Sequence, residues 1–226
     1  IFISHRLDEV LEISDRVTVL RDGVLIGTLE RGQITGKDQL VDMMLSVKPA
    51  VLLEQEHKEL GPVVLETRGL SLDKRLRDVS IQLHQGEVLG IAGLVGAGRT
   101  ELLKTIFGAY TPEQGEILVR GKACHGLTPA RAVKLGIAYL SEDRKGEGLL
   151  LKMSVEDNEI YACMERYSRL GILSVARRRK TVEEMRQKLR LKASGPGSLS
   201  GSLSGGNHQK VVIAKWLAAH SSIILM

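Results

Sequence analysis

Aromatic side chains are scarce in this 226-residue chain, where two Phe, four Tyr and one Trp make up 3% of the residues. None is interleaved in the densest basic run, Arg177-Arg178-Arg179-Lys180, and Tyr161 and Tyr167 are the only aromatics shortly upstream of it. Proteins that hold single strands stack bases on aromatics set between cations. The run therefore reads as a solvated helix face, and no nucleic-acid partner is expected. Cysteine is equally sparse. Cys124 and Cys163 form neither a metal-binding spacing nor a disulfide framework and are expected to be inert thiols in a reducing compartment. No apolar run approaches the roughly 20 residues that cross a bilayer. Initiator methionine and charged signal region are both missing before Ile1-Phe2-Ile3, a buried-strand pattern that starts at full strength. The chain is thus expected to be cut from something longer. No repeat or low-complexity segment is visible.

What is present describes an ordinary globular protein: 43% hydrophobic and 26% charged residues with a net charge of +5. After Ser4-His5, a helical segment is expected from Arg6 to Ile13. A hairpin of Val17 to Leu20 and Val24 to Leu29 should turn at Asp22-Gly23, and a short helix should run from Gln39 to Leu45. Residues 51–62 read as a polar linker. Beyond it, Val63 to Glu66 and Val79 to Leu83 suggest an antiparallel pair. Strands are expected at Val88 to Ala92, Glu116 to Val119, Ile137 to Leu140 and, buried, Ser222 to Met226. Helices are expected from Pro129 to Leu135, from a capping box at Ser154 to about Met164, and over Val175 to Leu191. Trp216 is expected in the core and His208 at the surface.

The stretch around which these elements are arranged is Gly93-Leu94-Val95-Gly96-Ala97-Gly98-Arg99-Thr100, followed by Glu101 at the start of a helical pattern. Strand, glycine loop and helix form the context of a phosphate-binding P-loop. The glycines let successive backbone N–H groups converge on one anion, and the helix start adds its positive dipole end. Thr100 stands where a hydroxyl would ligand Mg²⁺. Arg99 departs from the G-x-x-x-x-G-K-[ST] pattern: its planar guanidinium is not a steric copy of lysine, so phosphate binding and phosphate transfer separate as questions. About a hundred residues later Leu203-Ser204-Gly205-Gly206-Asn207 opens another helix, a second start with free N–H donors.

A P-loop followed at that distance by Leu-Ser-Gly-Gly resembles an ATP-binding cassette (ABC) ATPase. Together with Tyr139-Leu140-Ser141-Glu142-Asp143-Arg144-Lys145, the two motifs resemble the ATPase subunits of bacterial sugar importers that carry two cassettes per chain. The second cassette of that branch often has arginine in its P-loop. Ile1 to Val10 resembles the end of a first cassette. The resemblance implies an α/β fold with a P-loop NTPase core sheet, an antiparallel β lobe and a helical subdomain. Residues 1–50 would be a first-cassette remnant and 63–226 a second cassette that stops before its Walker B carboxylates. It further implies that Gly93, Leu94, Val95, Gly96, Ala97, Gly98, Arg99, Thr100 and Glu101 bind ATP. Leu203, Ser204, Gly205, Gly206 and Asn207 would be the signature motif that completes the site of the opposite cassette. His5 would be the first cassette's switch histidine, and Glu142 would hold the Q-loop position and, with Thr100, serve Mg²⁺. An adenine-stacking aromatic would be expected near Leu70 to Arg75, and the sequence has none there. The implied partners are transmembrane permease subunits, the other cassette of the same chain and, indirectly, a periplasmic sugar-binding protein. The implied place is the cytoplasmic face of the bacterial inner membrane. The alternative is a soluble cassette ATPase acting on nucleic acid or ribosomes.

Overall fold

The computed structural model describes residues 1–4, 6–21, 23–44, 59–169 and 171–226. His5, Asp22 and the linker residues 51–58 lie outside the described residues. The chain divides into two units, Ile1–Lys58 and Glu59–Met226.

In the first unit, α1 (Leu7–Ile13) precedes the antiparallel strands β1 (Arg16–Arg21) and β2 (Val24–Glu30), and α2 (Lys37–Met44) follows. Alternation along β1 sends Val17 and Val19 to the side where Val10 of α1 and Leu40 of α2 are buried. Ile1-Phe2-Ile3, expected as a buried strand, is neither strand nor buried. No strand lies beside it among the described residues, and an apolar tripeptide without a ladder has nothing to hold it extended.

The second unit begins with β3 (Val63–Leu72) and β4 (Leu76–His84). Next come α3 (Arg99–Ile106), β5 (Gln114–Val119), β6 (Lys122–Ala123), α4 (Pro129–Lys134) and β7 (Ile137–Tyr139). A helical region follows, made of α5 (Val155–Ile160), the short hairpin β8 (Ser168–Arg169) and β9 (Ile172–Leu173), and α6 (Val175–Lys188). Finally α7 (Gly205–Ala218) leads into β10 (Ile223–Leu225). The β lobe is an antiparallel sheet in the order β4-β3-β5-β6, and β10 pairs with β7 in parallel. One core joins lobe and parallel pair: Leu65, Leu70 and Ile117 from the lobe meet Leu102 and Ile106 of α3 and Ile137, Ile223 and Leu225. Burying each of the two α3 side chains contributes about 2 kcal/mol. The final strand is buried only on alternate residues, since Ile224 is exposed.

Local chemistry sets the helix starts. Thr128 caps α4 by accepting the Arg131 N–H, with Pro129 at the first position where its missing N–H costs nothing. Ser154 caps α5 by accepting the Asp157 N–H at 3.1 Å. One turn on, the buried Asn158 side chain accepts from the Leu150 N–H at 2.7 Å and donates to the carbonyls of Leu150 and Ser154 and to Ser200 Oγ. Asn158→Ala strips four bonds and leaves the Leu150 amide unpartnered. It is expected to cost about 3 kcal/mol, read as a fall in the denaturation midpoint at unchanged m-value.

Candidate phosphate site and its surroundings

The glycine loop is held open beside the parallel pair. Gly96 and Gly98 take φ of +83° and +90°, and Gly98 is the N-cap of α3. A Cβ on Gly98 would lie 2.5 Å from the Arg75 carbonyl oxygen, so the loop seats against the β3–β4 turn only because residue 98 has no side chain. At Gly93 a Cβ would meet Ala97 Cβ at 2.9 Å and lie 3.8 Å from Arg99 Cδ, which puts the arginine stem over the loop. Val95 is fully exposed at the loop's outer turn.

The run Val88 to Ala92, expected as the strand before the loop, forms no ladder, and Val88 is 80% exposed. The hydrophobic run was legible, but a strand needs a neighbour's N–H and C=O groups. Here a cleft of about 980 Å³ separates the run from β10, and Leu89, Ile91, Ile224 and Met226 line it.

The same cleft gathers Gly96, Arg99, Thr100, Glu142 and Asp143. Arg99 makes no ion pair among the described residues, and the Thr100 hydroxyl and Glu142 carboxylate make no hydrogen bond there. A free guanidinium, a free hydroxyl and a free carboxylate beside a helix start suit a phosphate and a hard divalent cation such as Mg²⁺, which takes oxygen ligands. Leu94 is exposed beyond them, and Glu101 lies in the first turn of α3.

The groups that hold Glu142's connector carry no local signal in the sequence. Lys104 Nζ donates to Glu147 Oε1 at 2.6 Å, and Ser141 Oγ donates to Glu147 Oε2 at 2.6 Å. The ammonium and the hydroxyl hold the Glu147 carboxyl below the usual carboxylate range, and Glu147 in turn raises Lys104. Forty-three residues separate the pair, so no local spacing announced it. Where the adenine-stacking aromatic was expected, the Arg75 guanidinium instead lies over the Tyr110 ring, 5.2 Å from its centroid.

The second helix start is built differently. Ser204 is the N-cap of α7, but its hydroxyl accepts from Asn207 Nδ2 at 3.0 Å rather than from backbone. Asn207 Oδ1 in turn accepts the Lys192 N–H at 3.1 Å. Gly205 and Gly206 are exposed, and the first α7 carbonyl bond comes from the His208 N–H to Ser204 O. Their N–H groups stay free for an anion. His208, expected at the surface, is buried: its Nε2 lies 2.8 Å from the Ser200 carbonyl, which satisfies the ring inside the fold. A groove of about 610 Å³ beside Leu203, Ser204 and Asn207 shares no lining residue with the loop's cleft, so the structure does not bring the two motifs together. Trp216 on α7 is buried, as expected. Among the described residues no helix is long and apolar enough to cross a membrane.

A profile of the ABC transporter family matches residues 76–226. This chain belongs to the ABC transporter family. Its cassette resembles solved ones over most of its length. A nucleotide-free ATP-binding cassette from an ABC transporter superposes with a TM-score of 0.59 at 22% identity, covering 72% of this chain and 68% of that one. A dimeric ATP-binding cassette in a post-hydrolysis state, bound to ADP and Pi, gives 0.59 and 22%, covering 71% and 72%. Curated relatives are more similar in sequence. Ribose import ATP-binding protein RbsA 3 of Rubrobacter xylanophilus is 42% identical over 224 residues, 99% of this chain and 45% of the relative. The RbsA protein of Lacticaseibacillus paracasei is 40% identical over 226 residues, 100% of this chain and 45% of its own. The cassette chain therefore spans less than half the length of the relatives it matches.

Proposed function

We propose that this chain is part of the ATP-binding subunit that energises carbohydrate import through a bacterial ABC transporter. The observation that carries the reading is its identity of about 40% with ribose import ATP-binding proteins along its whole length. Those names favour transport over the nucleic-acid alternative. In this reading residues 1–50 end a first cassette, 51–62 link, and 63–226 are most of a second. Backbone N–H groups of the loop at 93–101 and the Arg99 guanidinium hold the triphosphate of ATP, and the Thr100 hydroxyl with Glu142 faces Mg²⁺. The cation would neutralise phosphate charge. The α7 start at Leu203 to Asn207 supplies N–H donors and a helix dipole to nucleotide bound on the opposite cassette, where His5 contacts the γ-phosphate. The separation of the two clefts supports this division of labour: each half-site is built to be completed by another surface. ATP closes the cassettes and hydrolysis reopens them. The partners are transmembrane permease subunits and, through them, a periplasmic sugar-binding protein. The subunit sits peripherally on the cytoplasmic membrane face.

The test is ATP-driven uptake of labelled ribose by the complete protein with its permease in vesicles. Ser204→Arg, which puts a bulky cation at the α7 start, is expected to cut uptake at least about 100-fold. Arg99→Ala should have a smaller effect, read mainly as weaker nucleotide binding. ATP turnover stimulated by RNA and indifferent to permease and sugar would overturn the reading.

A further inference from the structure

The seam between α5 and α7 holds a carboxyl that takes no part in the candidate phosphate site. Val155 on α5 and Ala162, just past its end, pack against the cluster that contains Val211, Val212 and Trp216 of α7. Glu159 falls between them at helical spacing and shares their stripe. It is as deeply buried as Val155, and its oxygens find no hydrogen-bond partner among the described residues.

Among the described residues no cation on the packed elements pairs with it. Arg178 of α6 donates from Nη2 to Glu156 and Asp157. Lys215 of α7 donates to the Gly148 carbonyl, the His208 ring meets the Ser200 carbonyl, and Arg166 donates to the Ala219 carbonyl. In the segment after α5, burial raises the pKa of both Cys163 and Tyr167, so both are uncharged at neutral pH. Burial first, and the like charge of Glu156 second, raise the Glu159 pKa from 4.5 to about 8. Opening the seam returns the carboxyl to water and to its ordinary value. Between those two values the closed seam holds a proton that the open seam has released, so the open fraction rises about tenfold per pH unit. Above the higher value both forms are ionised, and the rise stops.

We propose that Glu159 is a proton-operated latch: uncharged, it lets α5 lie against α7, and as it ionises α5 lifts from the seam while the β lobe stays folded. The order of α5 then follows pH around neutrality, independently of nucleotide.

Amide hydrogen exchange on the full chain, between about pH 5.5 and 7.5, reads the latch. Exchange from an open form is base-catalysed and quickens about tenfold per pH unit, and the latch adds a second tenfold. Amides 158–160 are expected to quicken about 100-fold per unit in the native chain and about tenfold in Glu159→Gln and Glu159→Leu. Burial lowers the Lys215 pKa to about 8, so Lys215 is charged in both forms through this window and adds no slope. His208 is present in both variants, so a slope of its own would persist in them. Amides of Leu65 and Ile117 in the β lobe should be protected at least about tenfold more strongly than 158–160. A rise of only about tenfold per unit at 158–160 in the native chain, or a steeper one that persists in Glu159→Gln, overturns the proposal. So does protection at 158–160 equal to that of Leu65 and Ile117, which would mean that Glu159 loses its proton only when the whole unit unfolds.

Discussion

Glu159→Leu is expected to raise thermal stability strongly at pH 7 and only slightly at pH 4.5. Glu159 is 1% exposed on α5, and neither carboxylate oxygen has a hydrogen-bond partner among the described residues. Burial, with a smaller contribution from the Glu156 charge, raises its pKa from 4.5 to about 8. Between those values the folded chain holds a proton that the unfolded chain has released. Stability therefore falls as pH rises from 4.5 towards 8, and the loss near pH 7 is about 3 kcal/mol. Leucine has a similar size, removes both oxygens and does not titrate. For a chain of this length the expected gain at pH 7 is about 6–12 °C in the unfolding midpoint, shrinking as the pH is lowered. A midpoint difference that does not vary with pH would show that Glu159 keeps an ordinary pKa.

Gly98→Ala carries the second large effect, in the opposite direction. Residue 98 combines φ of +90° with a would-be Cβ 2.5 Å from a backbone oxygen and 3.2 Å from Leu76 Cδ2. The left-handed conformation costs an L-residue about 1–2 kcal/mol, and a clash with fixed backbone adds to it, for about 3 kcal/mol in all. Relief requires the loop to lift from the Arg75 carbonyl, which also moves the first N–H groups of α3. Loss of nucleotide binding should accompany a drop of about 6–12 °C in midpoint. Gly96→Ala is the control: its φ is +83°, but nothing lies within 4 Å of a Cβ there. It should cost only about 1 kcal/mol. Equal effects at the two glycines would mean that backbone preference alone, and not the seat against Arg75, holds the loop.

These two residues also mark where the sequence was legible. Glycine spacing, the capping box at Ser154 and the proline at the start of α4 are local signals, and the structure forms α3, α4 and α5 within a few residues of the expected limits. Pairing is not local. Nothing in Val88 to Ala92 or Ile1 to Ile3 states whether another strand will lie alongside, and among the described residues neither run pairs as a strand. Polarity misled at His208, because a carbonyl from a loop eight residues earlier satisfies its ring. The Lys104–Glu147 bridge and the burial of Glu159 depend on how α3, α5 and α7 pack, which no single stretch of sequence contains.

The most direct test of the account is an amide-resolved NMR titration of the full chain with Mg·ATP. Saturable shifts centred on residues 96–101 are expected, with weak affinity because the second half of the site is absent from this surface, and they should be lost in Gly98→Ala. Residues 203–207, which line a separate groove, should move less. Shifts absent from 96–101 at saturating nucleotide, or centred elsewhere and indifferent to Gly98→Ala, would contradict the claim that this loop is a phosphate cradle.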